Sequence, residues 1–169
     1  MAYTRVAEFL EDWKSESGMT RAVMTALTDA ALAQPAGGAE DRTLGRIAWH
    51  IVTTLPEMME RTGLHLSSVD GGAPVPARAA DIAEAHSRAA AELAERLAAD
   101  WTDETLAVTD NMYGETWPRG LTLQVLVRHE IHHRGQMTAL MRLAGLRVPG
   151  TYGPAREDWA AMGMDPPAV

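Results

Sequence analysis

Three histidines fall within five residues in the run His129-Glu130-Ile131-His132-His133-Arg134-Gly135-Gln136, and His50 stands alone about eighty residues earlier. A helix turns about 100° per residue, so His133 lies about 40° round from His129 and one turn along. Imidazoles so placed can converge on one metal ion. A third histidine from a neighbouring helix would complete a three-nitrogen site with an open position, the form of a catalytic rather than a purely structural metal. His132 falls at about −60°, at the edge of such a site, as a donor behind the ligands or an interface residue. Gln136, at about −20°, shares the face and is placed to orient His133 or a bound water.

The letters His129-Glu130-x-x-His133 also match the zinc-peptidase signature. Against that reading, Glu130 and Arg134 point well away from the histidine pair, and the sequence shows no strands for the sheet that a peptidase sets beside this helix. A blander reading makes the histidines surface or capping residues of an amphipathic helix. Leu126, Met137 and Leu140 flank the same face, which argues for partial burial instead. His50 alone reads more readily as a core or surface histidine than as a ligand. His65 and His86 lie in or beside polar surroundings and receive no role.

The elements that must position these residues are helical. Ala and Leu dominate the 169 residues, there are one Phe and three Tyr, and Val/Ile-rich alternating runs are scarce, so an all-α single domain over 1–169 is the economical reading. The patterns predict helices over about Thr4–Leu27, with Val6, Phe9, Leu10 and Trp13 on one stripe, and about Thr43–Arg61. Two more follow, over about Ala77–Ala99, with Ile82, Leu93 and Leu97 inward, and about Leu121–Leu143. Gly18 is a place for a kink in the first, and Pro56 is expected to kink or shorten the second. Gly71 to Pro76 reads as a linker, Val108–Gly120 as a loop or short hairpin crossing the bundle, and Gly145 as the cap of the last helix.

A faint internal repeat relates the two halves. Thr28-Asp29 and Thr102-Asp103 follow the first and third helices, while Thr43-Leu44 and Thr122-Leu123 each precede a histidine by seven residues. The repeat implies two helical hairpins about a pseudo-twofold axis, with His50 facing His129 from helices two and four.

Composition excludes much else. The net charge of −8, with no local basic cluster, argues against nucleic acid. No signal-peptide pattern or apolar run of transmembrane length occurs, so no membrane is expected and the expected compartment is the cytoplasm. With no cysteine, the chain has no disulfide, thiolate ligand or thiol nucleophile, and any thiol must arrive from outside. Fourteen arginines stand against the single Lys14, a skew compatible with a GC-rich bacterial genome.

The histidine in helix two, His129-x-x-x-His133-Arg134-Gly135-Gln136, and the later Pro149-Gly150-Thr151-Tyr152-Gly153-Pro154 together resemble the DinB-like (DinB/YfiT) family of metal-dependent proteins. The likeness runs from Phe9-Leu10-x-x-Trp13 to Glu157-x-Trp159. It implies a four-helix bundle, commonly a homodimer, in which His50, His129 and His133 hold a divalent metal, usually zinc or nickel. His132 would replace one of the helix-four pair only if that helix were locally overwound. The resemblance also implies kinship with enzymes that use low-molecular-weight thiols. The expected function is a metal-dependent enzyme that activates such a thiol, or water, for transfer to a small electrophilic substrate. The alternatives are a non-enzymatic metal-binding stress-response module and a metal-dependent hydrolase. Tyr152 and Trp159 are candidates to line the mouth of the site, with a packing role as the commoner alternative.

Overall fold

The computed structural model describes residues 2–38 and 42–168. Four long helices carry the fold: α1 Val6–Thr25, α2 Leu44–Glu60, α3 Ala79–Asp100 and α4 Arg119–Leu143. A two-stranded antiparallel hairpin, β1 Thr109–Met112 and β2 Glu115–Pro118, precedes α4, and a single helical turn, α5 Asp158–Ala161, lies in the tail. Among the described residues no helix is long and apolar enough to cross a membrane.

Each of α1 and α2 packs against both α3 and α4. Consecutive helices of each half therefore face each other diagonally across the axis, and the expectation of two hairpins of adjacent helices is corrected. The connections permit this arrangement. Residues 26–43 and 101–118 are long enough to cross the end of the bundle, and each carries a 3-10 turn, Asp29–Ala33 or Glu104–Ala107. The repeat itself is physical. Neither Arg5 nor Arg78, which precede α1 and α3, caps its helix with a side chain. Instead Asp103 accepts from the Val6 N–H (2.8 Å), and Asp29 accepts from the Ala79 N–H (2.7 Å). Each half thus caps the first helix of the other, a contribution of about 1 kcal/mol per cap.

The core is one cluster of buried apolar side chains. Phe9 and Trp13 stack at 5.8 Å on the inner stripe of α1, and the Trp13 indole N–H donates to the Ala90 carbonyl, tying α1 to α3. Gly120 is where Tyr3 crosses the start of α4: a Cβ there would stand 2.0 Å from the Tyr3 carbonyl oxygen, so only glycine fits. Gly18 does not break α1, and Pro56 does not end α2. A mid-helix proline costs about 3 kcal/mol. Leu55, Met58 and Met59 around it are buried, each offsetting that loss by roughly 1.5–3 kcal/mol.

The tail is fastened to the face between α1 and α4. Buried Arg134 donates to the Glu16 backbone carbonyl, the Glu16 carboxylate, Thr20 Oγ1 and Tyr152 Oη, and Tyr152 Oη donates to Glu16. Tyr152 is therefore an anchor of the tail, and neither it nor Trp159 lines the cleft described next.

Candidate metal centre

His50 projects from α2 two turns beyond Thr43, whose hydroxyl accepts from the Arg46 N–H and starts that helix. His129 and His133 project from successive turns of α4, which lies against α2. Their rings form a triangle, with centroids 4.8 Å apart for His50–His129 and His50–His133 and 4.4 Å for His129–His133. One ligand atom from each lies within 4.8 Å of the other two, and His50 Nε2 is 3.0 Å from His129 Nε2. A tetrahedral ion about 2.0–2.1 Å from each nitrogen spaces its ligand atoms roughly 3.3 Å apart, so this pair already sits near the spacing required.

The surroundings favour ligation over protonation. Burial, then the nearby charge of Arg42, then His133 lower the His50 pKa from 6.5 to about 4. Burial, followed by His133, His50 and His132, lowers that of His129 to about 4 as well. Burial also holds His133 below its ordinary value, against the opposing effect of its bond to Gln136. All three imidazoles are thus neutral near pH 7, the form in which they ligate. Gln136 Oε1 lies 2.7 Å from His133 Nδ1, and Gln136 Nε2 lies 3.2 Å from His132 Nε2. Gln136 therefore takes up Nδ1 of His133 and leaves Nε2 for an ion, while His132 stands behind it, outside the triangle.

The depressed values set a pH dependence for the metal-free protein. Well above pH 6.5 the three histidines are neutral in both folded and unfolded chains and contribute no difference. Between 6.5 and about 4 the unfolded chain takes up protons that the folded one refuses, so stability falls with pH through that window. Urea titrations of the metal-free protein from pH 7 to pH 4 should show a midpoint that declines below 6.5. Replacing both His50 and His129 with Gln should flatten that decline, and an unchanged slope in the double variant would disprove the assignment.

The triangle opens on one side into a cleft of about 440 Å³ between α2 and α4, with Thr53, Met58, Val125 and Tyr113 among its walls. Glu130 is on another face. It is buried, and its Oε1 lies 3.3 Å from Nε2 of His86, a histidine of α3 with no solvent exposure. This corrects the reading of His86 as a residue of polar surroundings. It also removes Glu130 from the position of a peptidase base. His65 is an exposed partner of Glu60 and lies outside the cluster.

The model of the DinB family matches residues 1–167. The chain belongs to the DinB family. This DinB-family chain is 42% identical over 161 residues to a Bacillus subtilis (strain 168) protein named uncharacterized protein YrdA, covering 95% of this chain and 96% of the relative. A crystal structure of a DinB-like protein from Bacillus cereus ATCC 10987 superposes with a TM-score of 0.84 at 39% identity, over 89% of this chain and 99% of the other. A second DinB-like protein, YjoA of Bacillus subtilis, shares the fold at 14% identity, with a TM-score of 0.63 over 88% and 99% of the two chains. The DinB family and the histidine triangle are together compatible with metal binding.

Proposed function

We propose that this DinB-family protein is a metal-dependent enzyme in which His50, His129 and His133 hold a divalent ion, zinc or nickel. The ion would present an open position to the cleft, where a low-molecular-weight thiol or water binds for transfer to a small electrophile. The observation that carries this reading is the convergence of three imidazoles, two of which, His50 and His129, line an open cleft. Three nitrogen donors suit zinc and nickel, and a fourth position left without a protein ligand is the mark of a catalytic site. When bound, such an ion lowers the pKa of a coordinated water or thiol towards neutrality, making a nucleophile available near pH 7.

The chain's own residues do the rest. Gln136 fixes the His133 ring so that one nitrogen faces the site. The Arg42 charge opposes protonation of His50 and His133. Because the chain has no cysteine, no internal thiol competes for the open position. Cytoplasmic location and a homodimer belong to the same proposal.

The test uses the cobalt-substituted protein. The apolar core lies beneath the histidines, so the metal-free protein should remain folded by circular dichroism, and 2-mercaptoethanol should change the visible cobalt spectrum. If metal removal unfolds the chain and neither thiols nor electrophiles perturb the spectrum, the ion is structural and the enzyme reading fails. Turnover of simple esters or amides without added thiol would identify a hydrolase instead.

A further inference from the structure

The turn between β1 and β2 holds a residue that turn chemistry does not favour. Met112 pairs with Glu115, leaving Tyr113-Gly114 as a two-residue turn with φ of +57° and +90°. Such turns need positive φ at both positions and are served best by Asn-Gly or Asp-Gly. Tyr113 is the only non-glycine residue with positive φ among the described residues. Backbone held in this region is strained and persists only where its surroundings fix it.

Three side chains fix it. Tyr113 Oη donates to Glu57 Oε2 at 2.6 Å, the Arg61 guanidinium lies 4.3 Å from the ring centroid, and Trp117 meets the ring at 6.1 Å and 64°. Arg61 in turn donates to Glu57 Oε1 at 2.8 Å. The ring is thereby held against α2, two turns beyond His50, where it forms a wall of the cleft leading to His50 and His129. The rest of that cleft offers few free polar groups. The Thr53 and Thr54 hydroxyls donate to carbonyls of their own helix, both Glu57 oxygens are engaged, and Met58 and Val125 are apolar. About 440 Å³ is within the range of small-molecule sites.

We propose that Tyr113 is the recognition surface of this cleft, and that the ligands it selects carry a flat, aromatic body beside the group that reaches the histidines. This deepens the metal-dependent reading above and rests on it. An aromatic pair contributes about 0.5–1.5 kcal/mol beyond the area it buries. That figure is enough to set a preference of up to roughly tenfold.

The experiment compares imidazole with 4-phenylimidazole as ligands of the cobalt-substituted protein, read from the visible spectrum. It does not depend on thiol chemistry, so failure of the thiol reading leaves it intact. The parent protein should bind 4-phenylimidazole about tenfold more tightly than imidazole. Tyr113→Asn, which suits the turn, should bring the ratio to within about twofold of unity. Tyr113→Phe should keep the ratio. A residue that only fastens the hairpin to α2 predicts a different ratio: Tyr113→Asn leaves it as it was in the parent protein. That result, or no preference in the parent protein, overturns the proposal.

Discussion

His50→Ala, purified without chelators, should retain less than about a tenth of an equivalent of metal, where the parent chain holds about one. The expectation follows from geometry and from charge. Among the described residues His50 is the one member of the histidine triangle contributed by α2, and its Nε2 is 3.0 Å from that of His129. Without it the remaining pair comes from one helix and offers two nitrogens, too few for a stable divalent site of this kind. His132→Ala is the informative control. His132 touches Gln136 and stands outside the triangle, so its loss should preserve stoichiometry and weaken affinity by roughly 10–100-fold at most. Elemental analysis of the three proteins decides the matter. Full metal in His50→Ala would sink the three-histidine reading, and loss of metal only in His132→Ala would transfer the role to that residue.

That His50 was legible at all depended on the repeat. Alone it is an ordinary histidine of an apolar helix, and its equivalence to His129 comes from seven-residue spacings after Thr43 and Thr122. Those two threonines are not structural equivalents, since Thr43 caps α2 whereas Thr122 is buried inside α4. The spacing still places both histidines on the inner faces of neighbouring helices. The Thr-Asp pairs were visible as a pattern but not as a device, because the helix that each aspartate caps is remote in sequence. The diagonal arrangement of consecutive helices was hidden for a related reason: loop length permits a crossing without dictating it. Tyr113 was hidden because its strain arises from a turn whose register only the folded hairpin defines.

His86 was within reach. Ile82, Leu93 and Leu97 mark the inner stripe of α3, and His86 follows Ile82 by four residues, on that same stripe. Glu130 likewise falls on the buried stripe of α4 with Leu123, Val127 and Met137. Polar side chains at such positions read as surface residues until the diagonal packing of α3 and α4 brings them face to face.

Breaking that pair should have the largest effect on stability of any single change considered. His86 and Glu130 are at 0% and 1% exposure, and none of their side-chain nitrogens and oxygens has a hydrogen-bond partner among the described residues. Their 3.3 Å contact is therefore the principal compensation each has for leaving water. Removing one member of a buried pair costs roughly 3–5 kcal/mol, because the other is left uncompensated, whereas replacing both with apolar groups of similar volume is often neutral or stabilising. Glu130→Ala should accordingly lower the Tm of the metal-free protein by roughly 6–20 °C. Combining His86→Leu with Glu130→Met should restore most of that loss. A Glu130→Ala change of under about 2 °C would mean that the contact contributes little, and failure of the double variant to recover would place the cost in packing rather than in charge. The double variant also tests function. A general base acts in turnover and not in binding, so a double variant that keeps the parent's thiol-transfer or hydrolytic turnover would confine Glu130 to its contact with His86 across the bundle.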